Sequence, residues 1–218
     1  MFRVVTVARE YGSGGARIAQ LLADRLGWKL LDRCLIEKIA DAAHVQPGVA
    51  AQYDERLDPW FNRLAKAFGE VAGYLPGSRP DGFDADVMAS LTQRVIEEGA
   101  TIGNCVIVGR GSQCILQERG DTFHVFIYAP RKEKLRRLRG RRPDLSADAA
   151  EEMMDAQDRE RAAYVRRYFD QDWSNHHLYH LMISSSLGEE AAVSTIVSAL
   201  NAARGDLARI ERGGRHAA

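Results

Sequence analysis

At the junction between a short β-branched run and a helical stretch, the chain carries Gly12-Ser13-Gly14-Gly15. Glycines there allow φ > 0 and let backbone N–H groups approach a phosphate, while the helix start adds partial positive charge. Nucleotide or phosphate binding is the chemistry this suits; a tight structural turn is the plain alternative. Neither familiar glycine pattern is met in full. A dinucleotide fingerprint through Gly12 and Gly14 needs a small residue where Arg17 stands, although Asp32 lies where a ribose-binding acid would sit. A mononucleotide loop needs Gly where Arg9 stands and Lys after Gly14. A second turn, Gly109-Arg110-Gly111, closes an apolar run. The end of a buried strand is where open α/β sheets place ligands, though a salt bridge would also account for Arg110.

The periodicity supplies elements to position these residues. Phe2 to Ala8 is expected to be the first strand, and Ile18, Ala19, Leu21, Leu22 and Leu26 recur at helical spacing from Ala16, with Gly27 at the C-cap. Trp28 to Leu31 reads as a second strand ending at Asp32, and Leu35 to Ala43 as a helix. This is an α/β layer. Residues 44–86 break the pattern with Pro47, Pro59, Pro76 and Pro80 and are expected to form an inserted lid or subdomain. A helix from Ala85 to Glu98 then leads to the strand Cys105–Val108. Ser112 to Arg119 reads as a short helix, Thr122 to Tyr128 as a strand, and a helix starts after Pro130. Residues 131–142 hold eight Lys or Arg and one acid, whereas 144–160 hold seven Asp or Glu and one base, with Pro143 between them. The basic run lacks interleaved aromatics, which favours a solvated helix face or a phosphate-collecting lid over nucleic-acid binding. A long helix to Phe169, a strand at Leu181–Ser185 and a helix from Gly188 to Ala203 follow, and the polar 204–218 tail is expected to be flexible.

At 218 residues the chain fits one large domain with an embedded insertion. Thirty basic against thirty acidic side chains leave no net charge to hold nucleic acid. Three cysteines without a CxxC pair point to a reducing, cytoplasmic setting. No secretory h-region and no apolar run long enough to span a membrane are evident. His176, His177 and His180 have helix-compatible spacing but no fourth ligand, so loop packing is the expected role.

The segment AREYGSGGARIAQLLADRLGWKLLDRCLI resembles the opening of the cytidylate kinase-like proteins, within the P-loop nucleoside monophosphate kinases. The similarity returns at CVIVGRGSQCIL, HVFIYAP, QDRERAAYVRRYFDQDW and LMISSSLGEEAAVSTIV. The resemblance implies a three-layer α/β fold with a parallel central sheet and helical lid regions, a single domain over 1–203, an acceptor-binding insertion at 44–86 and a lid at 139–172. It implies transfer of a phosphoryl group from ATP, with Mg²⁺, to CMP or dCMP. Arg9, Gly12, Ser13, Gly14, Gly15 and Ala16 would bind the donor, with Ser13 near the metal. Asp32, Lys38 and Arg110 would bind the acceptor. Arg17, Arg159 and Arg161 would act in catalysis, although residues at i,i+2 on a helix do not share one face. Gly15 stands where the ordinary cytidylate kinases place the phosphate-binding Lys, and Arg9 or Arg17 could supply that charge instead. Gly111 replaces the acid of a strand-end GRD element. A nucleotide-binding regulator without turnover, a kinase with another small acceptor, and a dinucleotide-dependent oxidoreductase are the competing readings. A homo-oligomer fits any of them.

Overall fold

Val4, Val5 and Val7 are fully buried, and a strand covered on both faces belongs inside a parallel sheet. The computed structural model of the protein describes residues 2–32 and 85–213 and places that strand at the centre. Over the described residues the elements are β1 (Val4–Arg9), α1 (Gly15–Leu26), β2 (Lys29–Leu31), α2 (Ala85–Ile102), β3 (Cys105–Val108) and α3 (Ser112–Ile115). They continue as β4 (Thr122–Tyr128), α4 (Arg131–Arg141), α5 (Ala147–Phe169), β5 (Leu181–Ser184) and α6 (Glu189–Gly213). Lys38, the expected helix at 35–43 and nearly all of the 44–86 insertion lie outside the described residues.

The five strands lie in the order β2-β3-β1-β4-β5. β1 pairs in parallel with β3, Val4 opposite Cys105, and with β4, from Val4 opposite Thr122 to Arg9 opposite Ile127. β4 pairs in parallel with β5. The chain leaves β1 towards β2 on one side and passes from β3 to β4 across β1. The carboxyl ends of β1 and β3 therefore flank the point where the strand order reverses, the place where such sheets bind ligands.

The chain divides into two compact units, residues 1–30 with 104–218, and residues 31–103. In the first, the α1 stripe of Ile18, Ala19 and Leu22 joins Val193, Ile196 and Leu200 of α6 in one cluster with Val5, Val7, Phe123, Val125 and Ile127 of the sheet. Burial of each large apolar side chain contributes about 2 kcal/mol. α1 stops as expected at Gly27, whose φ of 65° lets the Trp28 N–H close on the Ala23 carbonyl at 2.9 Å. α5 starts after Ser146, whose hydroxyl accepts the Ala149 N–H at 3.1 Å. α3 is shorter than the sequence pattern suggests, and α6 runs past Ala203 to Gly213. In the second unit, Leu91, Val95, Ile96 and Ala100 of α2 are buried at helical spacing.

A buried histidine sits within the sheet. His124 on β4 is 4% exposed, with Nδ1 2.7 Å from Thr6 Oγ1. Its backbone N–H donates to His180 Nδ1 at 2.9 Å, and the two rings stack at 5.2 Å. Burial, helped by the neighbouring His180, pulls the His124 pKa from 6.5 down to about 4. Above pH 6.5 neither folded nor unfolded chain protonates it; below, the unfolded chain takes a proton that the fold refuses. Stability therefore falls as pH drops from about 6.5 to 4, by about 3 kcal/mol from this group. Urea unfolding across that range will show the loss, and His124→Gln will flatten it. An unchanged slope in the variant would contradict the assignment.

Candidate active site

The glycine loop follows directly from the end of β1. Gly12 and Gly14 both have φ of 79°, a region closed to most side chains. At Gly12 a Cβ would also stand 3.1 Å from Lys134 Cβ and 3.2 Å from its carbonyl oxygen, so α4 packs against the loop backbone. Ser13 is fully buried; its hydroxyl donates to the Glu10 carbonyl at 2.8 Å and accepts the Gly15 N–H at 3.3 Å. Its carbonyl accepts from Arg137 Nη1 and from Ser185 Oγ, both at 2.6 Å. A trans peptide points its C=O and the next N–H in opposite directions, so this anchoring turns the Gly14 N–H away from α4. That N–H makes no hydrogen bond among the described residues. It adds to the unpaired N–H groups of the first turn of α1, forming an anion-binding concavity.

A charge cluster also holds the loop. The Tyr11 N–H donates to Asp158 Oδ1 at 2.6 Å. Lys134 Nζ lies 3.4 Å from Asp158 Oδ2 and 3.1 Å from Glu10 Oε2, and the Ala129 N–H donates to the same Glu10 oxygen at 3.2 Å. Arg161 Nη1 donates to the Arg9 carbonyl at 2.9 Å and to Asp158 Oδ1 at 3.3 Å, with its guanidinium 5.5 Å from the Tyr11 ring centre. Burial pushes the Asp158 pKa up, against the pull of the Tyr11 N–H, Lys134 and Arg161. Burial also lowers that of Arg161, with Asp158 opposing.

At the end of β3 three successive residues are left-handed, with φ of 72°, 58° and 69° at Gly109, Arg110 and Gly111. Arg110 in that region carries strain of about 1 kcal/mol. At Gly111 a Cβ would run into the Phe169 ring of α5, so this packing leaves no room for a side chain there. The Arg110 charge is felt at Tyr164, where it opposes the upward push of burial on the phenol.

The expected site residues separate into groups. Arg9, Gly12, Ser13, Gly14, Gly15, Arg110 and Arg161 gather at the carboxyl ends of β1 and β3. Ala16 and Arg17 start α1 with exposed side chains, and Arg159 is exposed on α5 while Arg161 is half-buried. The buried, committed hydroxyl of Ser13 does not fit a metal ligand. Among the described residues no group of three or more His, Cys, Asp or Glu is placed to hold a metal ion. Asp32, half-buried, follows β2 in the second unit. Sequence reasoning missed Glu10, Lys134, Arg137, Asp158 and Ser185. The signal for two of them was faint: Lys134 and Arg137, at i,i+3, sit with Leu138 in a run in which nine of twelve residues are charged.

The strand order and the glycine loop entering α1 define a P-loop kinase fold. Residues 4–187 match the cytidylate kinase-like family, and the chain belongs to it. Among solved structures, an uncharacterized protein from Eubacterium ventriosum is 19% identical, with a TM-score of 0.68 over 92% of this chain and 99% of that one. Shikimate kinase from Bacteroides thetaiotaomicron is 16% identical, with a TM-score of 0.50 over 91% and 98%. At these identities the likeness is one of fold. A search of curated proteins finds no match.

Removing the Asp158 carboxylate leaves the Tyr11 N–H and two partly buried cations without it. Asp158→Ala is expected to cost about 2–4 kcal/mol, and Asp158→Asn, which still accepts from Tyr11, less. Thermal and urea unfolding will measure both; an Ala variant as stable as the parent would remove the cluster's structural role.

Proposed function

We propose that the protein transfers the γ-phosphoryl group of ATP to a nucleoside monophosphate, CMP or dCMP in first place. The observation that carries this reading is the anchoring of the Ser13 carbonyl by Arg137 and Ser185, which turns loop N–H groups towards a polyanion at the switch point of the sheet. Beside that anchor, a groove of about 560 Å³ is lined by Pro130, Lys132, Glu133, Leu135, Arg136, Arg139 and Ser186. Its size and its mix of apolar and charged walls, with Glu133 paired to Arg136 at 2.6 Å, suit the base and ribose of the donor. Arg110, at the end of β3, is the acceptor-phosphate contact in this scheme. Asp32 and Lys38 keep their assignment to the acceptor on family resemblance alone.

Phosphoryl transfer asks the protein for position and positive charge rather than covalent chemistry. The loop N–H groups orient the donor and the cations near the strand ends draw off charge as the phosphoryl group moves. Because Ser13 is committed, Mg²⁺ enters with the triphosphate in this scheme, and no step is assigned to a protein-held ion. One feature favours a second reading, nucleotide binding without turnover: Phe169 fills the space that an acid at position 111 would need.

ADP formation from Mg-ATP with CMP, dCMP, UMP, AMP or GMP, against a no-acceptor control, separates these readings. Turnover selective for CMP or dCMP is the expected result. Folded protein that forms no acceptor-dependent ADP across the panel contradicts it, and nucleotide affinity without turnover would favour the regulatory reading. In the active protein, Arg110→Ala is expected to raise the acceptor KM about tenfold to a hundredfold, the weight of one charged hydrogen bond, with donor KM little changed. Equal losses on donor and acceptor would place Arg110 elsewhere.

A further inference from the structure

The start of α1 has no side chain at Gly15, and the reason lies on β1. A Cβ built at Gly15 would stand 2.5 Å from Arg9 Cβ and 2.9 Å from its Cγ. One built at Gly109 would overlap Arg9 Nη1, with Cζ 3.2 Å away. The Arg9 side chain therefore leaves the carboxyl end of β1, crosses the first residue of α1, and brings its guanidinium to the end of β3. Two glycines far apart in sequence are cleared for one arginine. Its backbone is fixed too, since the Arg9 carbonyl accepts from Arg161 Nη1 at 2.9 Å. Arg17, by contrast, is exposed on the first turns of α1.

We infer that Arg9 supplies the cation for the transferred phosphoryl group, its stem taking the space that a side chain at position 15 would otherwise occupy. This inference rests on the phosphoryl-transfer reading. In the step, an acceptor phosphate oxygen forms a bond to the γ-phosphorus as its bond to the β–γ bridging oxygen breaks. The electron pair leaves with ADP. Arg9 gains and loses no proton; it holds positive charge against the equatorial oxygens, and its planar fork suits two of them.

The geometry specifies an exchange experiment. Arg9→Ala removes both the charge and the obstruction, and Arg9→Gln removes the charge while keeping most of the stem over Gly15. Arg9→Ala with Gly15→Lys returns an ammonium to the same space by the route now blocked. ADP formation and calorimetric titration with the β,γ-imido analogue of ATP are measured on each, with melting temperature as the check of folding. Both single variants are expected to lose at least about a hundredfold in kcat, the effect of removing one transition-state donor. The double variant is expected to regain at least about tenfold of it. Wild-type turnover and affinity in Arg9→Gln, or a loss in Arg9→Ala that Gly15→Lys leaves unrelieved in folded protein, overturns the inference alone. A wild-type protein that binds no nucleotide overturns the phosphoryl-transfer reading and this inference with it.

Discussion

The carboxylate of Asp158 joins the glycine loop to both helices that flank it. It accepts the Tyr11 N–H and lies beside Lys134 of α4 and Arg161 of α5, whose guanidinium continues to the Arg9 carbonyl. A partly buried carboxylate requires such partners, because leaving any of these charges alone in the interior is more costly than the pairing is favourable. Glu10 completes the balance on the other side of Lys134, giving two acids and two cations around one turn of backbone. These contacts fix the shape of the loop.

Steric exclusion does the rest. Gly12 is pressed by Lys134, Gly15 and Gly109 by Arg9, and Gly111 by Phe169. The departures from the ordinary cytidylate kinase pattern are thus linked to particular side chains. Position 15 lacks a lysine where an arginine from the preceding strand fills the space, and position 111 lacks an acid where an aromatic ring from α5 does. Substitutions at the glycines are therefore expected to act through their distant partners as well as through backbone strain.

Much of the scaffold is legible in the chain. β1, β3 and β4, buried on both faces, fall within a residue or two of their largely apolar runs, and the edge strand β5 does so although Met182 is exposed. The glycine loop and the Gly27 cap show in the same way, as glycines at a change of period. What binds the loop is hidden because it is non-local. Lys134 and Arg137 lie in a basic run that reads as a solvated face, and only the acids and carbonyls that meet them in the fold reveal which cations turn inward. Asp158 is likewise one acid among seven in its segment until Tyr11 and Lys134 are placed beside it. The spacing argument that Arg159 and Arg161 cannot share a face agrees with the exposed and half-buried positions they take.

A crystal structure of the protein with Mg²⁺ and a non-hydrolysable ATP analogue tests the account most directly. The β-phosphate is predicted to sit on the N–H groups of Gly14 and the first turn of α1, with the Arg9 guanidinium against the γ-phosphate and the Ser13 carbonyl still held by Arg137 and Ser185. A nucleotide bound away from the loop, or bound there with Arg9 turned from the phosphates, would contradict it.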